Sequence, residues 1–174
     1  KKFLTYNLPF KINIKANEPK NVVMYDKNIH GKGVSGKRAA LTFPLELYPN
    51  YTDYVQQMNL FVTENPTIAR LEVIGTTSGI GSGTPTYTGG SHQILAIVLS
   101  DNVNSDEAEP RLLYTSSIHG DELAGYPSML NLINHLIEGY KGNHADNDDN
   151  INAQNLINGA EIWINPLANP DGTF

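Results

Sequence analysis

RLLYTSSIHGDE, residues 111–122, decides how the rest of the chain is read. Arg111 to Ile118 is a short apolar run bounded by Pro110 on one side and a Gly-Asp pair on the other, so it predicts a strand over 111–118. That strand runs straight into His119 and Glu122. Zinc takes His nitrogen and carboxylate oxygen at about 2.0–2.2 Å, and its catalytic sites combine three protein ligands with an open water position. A His-x-x-Glu spacing where a strand turns into a helix can set both side chains on one ion. The carboxyl end of a strand is also where open α/β sheets place their ligand crevice. Taken by itself the tetrapeptide also fits a plain loop histidine followed by a glutamate that favours the next helix's N-terminus.

Outward from this stretch, strands and helices alternate. Leu130, Ile133 and Ile137 mark one face of a following helix, with Pro127 tolerated in its first turn. Residues 141–155 are rich in Asn and Asp and read as a loop. Residues 160–167 (AEIWINPL) predict a last strand with Trp163 in the core, and Asn169-Pro170-Asp171-Gly172 is a turn sequence. Upstream, QILAIVLS (93–100) is a continuous apolar run that predicts a buried strand, and 68–74 (IARLEVI) predicts another. Thr52 is a candidate cap for a helix with Val55, Met58 and Phe61 or Val62 at helical spacing. Residues 101–110 read as an acidic loop. The pattern indicates an α/β domain over 47–174, a mixed β-sheet with helices on both faces. Residues 1–46 read as an N-terminal arm or the tail of a preceding β-rich segment. Leu4, Tyr6, Leu8, Phe10, Ile12 and Ile14 share one parity there, and 26–38 form a polar loop.

Composition narrows the chemistry. The 174 residues carry 12 Lys and Arg against 18 Asp and Glu, a net charge of −6, which argues against nucleic acid as a partner. With no cysteine, any metal must take His, Asp or Glu ligands. No apolar run of about 18 residues predicts a transmembrane segment. The acidic balance and lack of cysteine suit a secreted or periplasmic protein.

Other signals are weaker. Gly79, Gly81 and Gly83 miss the dinucleotide fingerprint, which needs Gly where Thr84 stands. Asp146, Asp148 and Asn150 begin like a calcium loop, but Ile151 and Ile157 occupy the positions that need Gly and Glu. Asn50-Tyr51-Thr52 matches a glycosylation acceptor, relevant only in a eukaryotic secretory setting. His135 lies 13 residues past Glu122, roughly 20 Å along a helix axis. His144 and His30 fall in polar loops. His92 precedes a strand, and strand order decides whether it reaches the metal pair.

Several segments in register then point one way. YPNYTDYVQQ (48–57), Ile68 to Gly75, the strand ending Leu99-Ser-Asp-Asn102, Glu109-Pro110, the strand into His119-Gly-Asp-Glu122, and Ile162 to Gly172 with its Asn-Pro-Asp-Gly together resemble the zinc carboxypeptidases of the M14 family over residues 48–174. The resemblance implies a carboxypeptidase-like fold, Zn2+ as cofactor, and His119 and Glu122 as the first two zinc ligands. It implies hydrolysis of the C-terminal bond of a peptide or protein substrate by a zinc-activated water. In that family the third ligand, a histidine, and the catalytic glutamate lie downstream of the Asn-Pro-Asp-Gly turn, so the chain reads as the N-terminal part of the catalytic domain. Two rival readings stay open. Aspartoacylase-like and desuccinylase-like zinc amidohydrolases also carry a His-Gly-x-Glu turn, and a carboxypeptidase-like fold can serve as a non-catalytic binding module.

Overall fold

The computed structural model describes residues 24–25, 48–78 and 91–174. The elements are β1 (Met24–Tyr25), β2 (Tyr48–Pro49), α1 (Tyr51–Glu64), β3 (Ala69–Thr76), β4 (Gln93–Leu99), β5 (Arg111–Thr115), α2 (Gly125–Tyr140), α3 (Asn147–Gly159), β6 (Glu161–Asn165) and α4 (Pro170–Thr173). β1 and β2 pair in parallel as a separate two-stranded ladder. The main sheet has the order β3-β4-β6-β5. The strand expected from the alternation over residues 1–16, the loop over 26–38 with His30, and the glycines at 79, 81 and 83 lie outside the described residues.

β4 is antiparallel to both β3 and β6, whereas β5 runs parallel to β6. The sheet is therefore mixed, as the sequence predicts. A parallel β5–β6 pair needs a long crossover, and α2 and α3 supply it. β4 is central, and Leu95 through Leu99 are all buried, which is why its sequence is uninterrupted by polar residues. On one face Leu95, Ile97 and Leu99 join Ile162 and Ile164 of β6, Tyr54, Met58 and Phe61 of α1, and Leu130, Ile133 and Ile137 of α2 in a single core. Among the described residues the three long helices all contribute to this one face. β5 forms the edge of the described sheet. All five of its residues are exposed, Leu113 by 66 %.

Three local expectations change. Asn50, not Thr52, caps α1: its side chain accepts from the Asp53 N–H at 2.9 Å. Asn50→Ala should cost about 1 kcal/mol, the usual worth of such a cap, read as a lower denaturant midpoint at constant m. The Asn/Asp-rich loop holds a helix, α3. Asp146 caps it through the Asp148 N–H, and Asp148 and Asp149 sit in its first turn, where the helix dipole favours negative charge. Asn and Asp are poor helix formers, so packing decides the outcome: Asn150, Ala153 and Ile157 form a buried stripe. α2 and α3 approach so closely that a Cβ on Gly139 would stand 2.6 Å from the Ala153 Cβ. Trp163, expected in the core, is half-buried; its indole N–H donates to Glu161 and the Arg70 guanidinium lies 5.9 Å from its ring centre.

Candidate metal centre

The strand leading to His119 ends earlier than its apolar pattern suggests. Pairing stops at Thr115, and Ser117 adopts φ 52°, in the left-handed region that non-glycine residues seldom visit. This turn lifts residues 118–122 out of the sheet at the carboxyl end of β5. The turn is stitched to the segment after β6: the Ala168 N–H donates to the Ser116 carbonyl at 3.0 Å and the Asn169 N–H to the Ser117 carbonyl at 3.1 Å. Asn169 also donates from its side chain to the Ile118 carbonyl at 3.1 Å.

The loop brings the two predicted ligands together. His119 Nδ1 lies 3.1 Å from Glu122 Oε2, and the Glu122 N–H donates to the His119 carbonyl at 3.2 Å. Both side chains face solvent, 73 % and 69 % exposed. The two atoms are within hydrogen-bond distance of each other. Two donors on a tetrahedral zinc with bonds near 2.1 Å stand about 3.4 Å apart, so moving apart by a few tenths of an ångström would let them share an ion. Imidazole nitrogen plus carboxylate oxygen is a zinc donor set, and the exposure leaves room for further ligands and a water.

A backbone contact shapes this loop. A Cβ on Gly120 would lie 2.1 Å from the backbone carbon and oxygen of Gly172. Glycine is required at 120 because two backbones touch there. The sequence read as a turn at 169–172 is the short helix α4, capped by Asn169, whose side chain accepts from the Gly172 N–H at 3.0 Å.

The remaining histidines are elsewhere. His135 and His144 stack at 4.2 Å between α2 and the start of α3, and His144 Nε2 donates to the His135 carbonyl at 2.9 Å. Burial, then the neighbouring His144, lowers the His135 pKa. His92 faces Asp171, with Nδ1 to Oδ1 at 2.7 Å. Sequence reasoning left His92 open as a ligand and did not find its link to Asp171. No short-range pattern signals a contact between residues 79 positions apart. Among the described residues, the one group of three or more acidic or histidine side chains close enough to share an ion is Asp101, Glu107 and Glu109. Ser100 and Asn102 already bond to two of these carboxylates in an acidic surface loop.

The Tyr48–Tyr51–Tyr54 stretch proves to be a brace. Tyr54 and Tyr48 pack on Tyr126 of α2 at 6.4 and 6.2 Å. The Tyr51 hydroxyl donates to the Gln93 carbonyl and accepts from the Gln93 N–H, tying α1 to the start of β4. Burial raises the Tyr51 pKa, against the opposing pull of the Gln93 bond.

Comparison with known proteins adds to this geometry. The family profile described as zinc carboxypeptidase matches residues 54–174. The chain belongs to the zinc carboxypeptidase family. Zn2+ is the family's cofactor, and no helix among the described residues is long and apolar enough to cross a membrane. A zinc carboxypeptidase of Saccharothrix mutabilis subsp. capreolus is 32 % identical over 125 residues, which cover 72 % of this chain and 25 % of the relative. Carboxypeptidase D of Homo sapiens is 29 % identical over 113 residues, covering 64 % and 7 %. Two solved structures also match in fold. Carboxypeptidase A from Helicoverpa armigera superposes with a TM-score of 0.53 at 19 % identity, over 80 % of this chain and 29 % of that one. Thrombin activatable fibrinolysis inhibitor gives 0.58 at 17 %, over 79 % and 29 %. The chain thus spans about a quarter of the Saccharothrix relative and under a third of each solved chain.

Proposed function

We propose that the natural protein carrying this chain is a metallocarboxypeptidase that hydrolyses the C-terminal peptide bond of peptides, with His119 and Glu122 as two of its zinc ligands. The observation that supports this most directly is the 3.1 Å approach of His119 Nδ1 to Glu122 Oε2 on the loop after β5, in a chain of this family. When bound, zinc polarises a carbonyl and lowers the pKa of a coordinated water. The chain's own residues have a holding task. Imidazole and carboxylate supply donors from one short loop. Ser117's turn aims that loop away from the sheet, and the bonds from residues 168 and 169 keep it there. The exposed side of the pair is where a substrate carbonyl and the remaining donors would approach. On the resemblance, the third ligand and the general-base glutamate come from sequence after Phe174. A secreted or periplasmic site of action fits the acidic, cysteine-free composition.

Assaying the full natural chain with zinc separates this reading from its rivals. Release of free C-terminal amino acid from a peptide, with N-acyl amino acids cleaved at least tenfold more slowly, is the expected result. The reverse preference would make the protein an amidohydrolase of the aspartoacylase kind. Zinc binding without hydrolysis of either substrate would make it a binding module.

A further inference from the structure

Asp171 is the most heavily engaged carboxylate near the metal loop, and its partners come from far along the chain. Its side chain is only 9 % exposed and His92's 14 %. His92 Nδ1 stands 2.7 Å from Asp171 Oδ1, and the Thr77 hydroxyl stands 2.6 Å from the same oxygen. A carboxylate accepts, so both partners donate. A threonine hydroxyl has one proton and two acceptor sites. Its proton goes to the charged oxygen, the shorter and stronger contact, in preference to the His92 carbonyl at 3.2 Å. The hydroxyl oxygen in turn accepts the His92 N–H at 2.7 Å, while the Thr77 N–H donates to the His92 carbonyl at 2.8 Å. Thr77 and His92 thus form one unit where β3 ends and β4 begins. The Tyr51 ring packs edge-on against the His92 imidazole at 4.2 Å and fixes its plane.

Asp171 sits beside Gly172, whose backbone touches Gly120 between the two proposed ligands. The preceding residues 168 and 169 bond to 116–118. The 168–172 segment is therefore held on one side by the ligand loop and on the other by Thr77 and His92. A strained, solvent-facing loop keeps its geometry when the elements behind it are fixed.

We propose that Thr77 and His92 are positioning residues for the His119–Glu122 loop: they hold Asp171, and Asp171 holds the Gly172 backbone against Gly120. The consequence for metal affinity rests on the reading of His119 and Glu122 as ligands; the positioning itself does not.

The test uses the full natural chain, with His92→Ala, His92→Asn and Thr77→Val. Asn keeps an N–H near the place of Nδ1, and Val keeps the volume of Thr should the histidine variant fail to fold. Hydrogen exchange in the zinc-free protein is read at the Glu122, Ala168 and Asn169 amides, with Ile97 and Val98 of β4 as reference. His92→Ala and Thr77→Val should speed exchange at the first three about tenfold while leaving the reference unchanged, and His92→Asn should restore most of the protection. Zinc affinity, measured by competition with a chromophoric chelator, should fall about 10–100-fold in the same two variants. Exchange that is unchanged at all sites, or accelerated equally everywhere, overturns the proposal. Selective acceleration in a protein whose parent binds no zinc overturns the ligand reading and leaves the positioning intact.

Discussion

His119→Ala and Glu122→Ala, each in the full natural chain, are expected to lower zinc affinity by more than about 100-fold and to lower peptidase activity with it. Losing a partner that only orients a ligand already costs 10–100-fold, and losing the ligand itself costs more. The selectivity of the effect is as informative as its size. The side chains are 73 % and 69 % exposed, and among the described residues each bonds to the other. Substitutions at such surface positions change stability by no more than about 0.5 kcal/mol. The zinc-free variants should therefore melt with the zinc-free parent while the zinc-dependent rise in Tm disappears. Titration with zinc, followed by calorimetry and by release of C-terminal residues, measures both quantities. Variants that retain parental zinc affinity would show that the metal sits elsewhere.

Gly120→Ala carries the second large effect, and it tests the backbone beneath the ligands. The added Cβ would come within 2.1 Å of the Gly172 carbon and oxygen. No rotamer relieves a clash with main chain, so one of the two segments must move. Inserting a methyl into a filled space costs typically 1–3 kcal/mol, and we expect the upper end, about 3 kcal/mol. Because the displaced segment is the ligand loop, zinc affinity should drop together with stability. In the His119 and Glu122 variants affinity drops without stability. Gly172→Ala offers a milder case, since its Cβ would meet the Asn169 side chain at 2.6 Å, and that side chain can rotate away at the cost of its bonds to the Gly172 N–H and the Ile118 carbonyl rather than by a shift of main chain. Urea unfolding of the three zinc-free proteins should rank Gly120→Ala well below Gly172→Ala, with the parent highest. Equal midpoints for Gly120→Ala and the parent would show that the loop yields without cost.

Those two cases mark how far the site was legible in sequence. The His119–Glu122 pairing is legible because it is local: two residues lie between the ligands, and a turn after a strand can bring them onto one side, although the contacts that hold that turn come from elsewhere in the chain. The buried run of β4 and the α2 stripe were legible for the same reason, because an apolar pattern reports which side of an element is buried; the strand before the ligands showed as a short apolar run, although its five residues are exposed in the described sheet. α3 was not legible. Asn and Asp favour loops as strongly as they favour helix starts, and only the burial of Asn150, Ala153 and Ile157, with Ala153 close to Gly139, tips the balance. The early end of β5 was hidden too, since Ser116, Ser117 and Ile118 continue an acceptable strand pattern until Ser117 takes its left-handed turn.

From its sequence by itself this protein is an α/β chain of the zinc carboxypeptidase kind, with one short segment bearing two metal-ligand types and glycine between them. Tertiary structure alone decided the order of the described strands, the helix at 147–159 and the enclosure of Asp171 by Thr77 and His92. The physical reason is separation along the chain. Side-chain alternation, capping and a three-residue ligand spacing act within one or two turns. Thr77 and Asp171 are 94 residues apart, and they meet only because β4 is inserted between β3 and β6 and thereby carries the end of one hairpin to the segment that backs the metal loop.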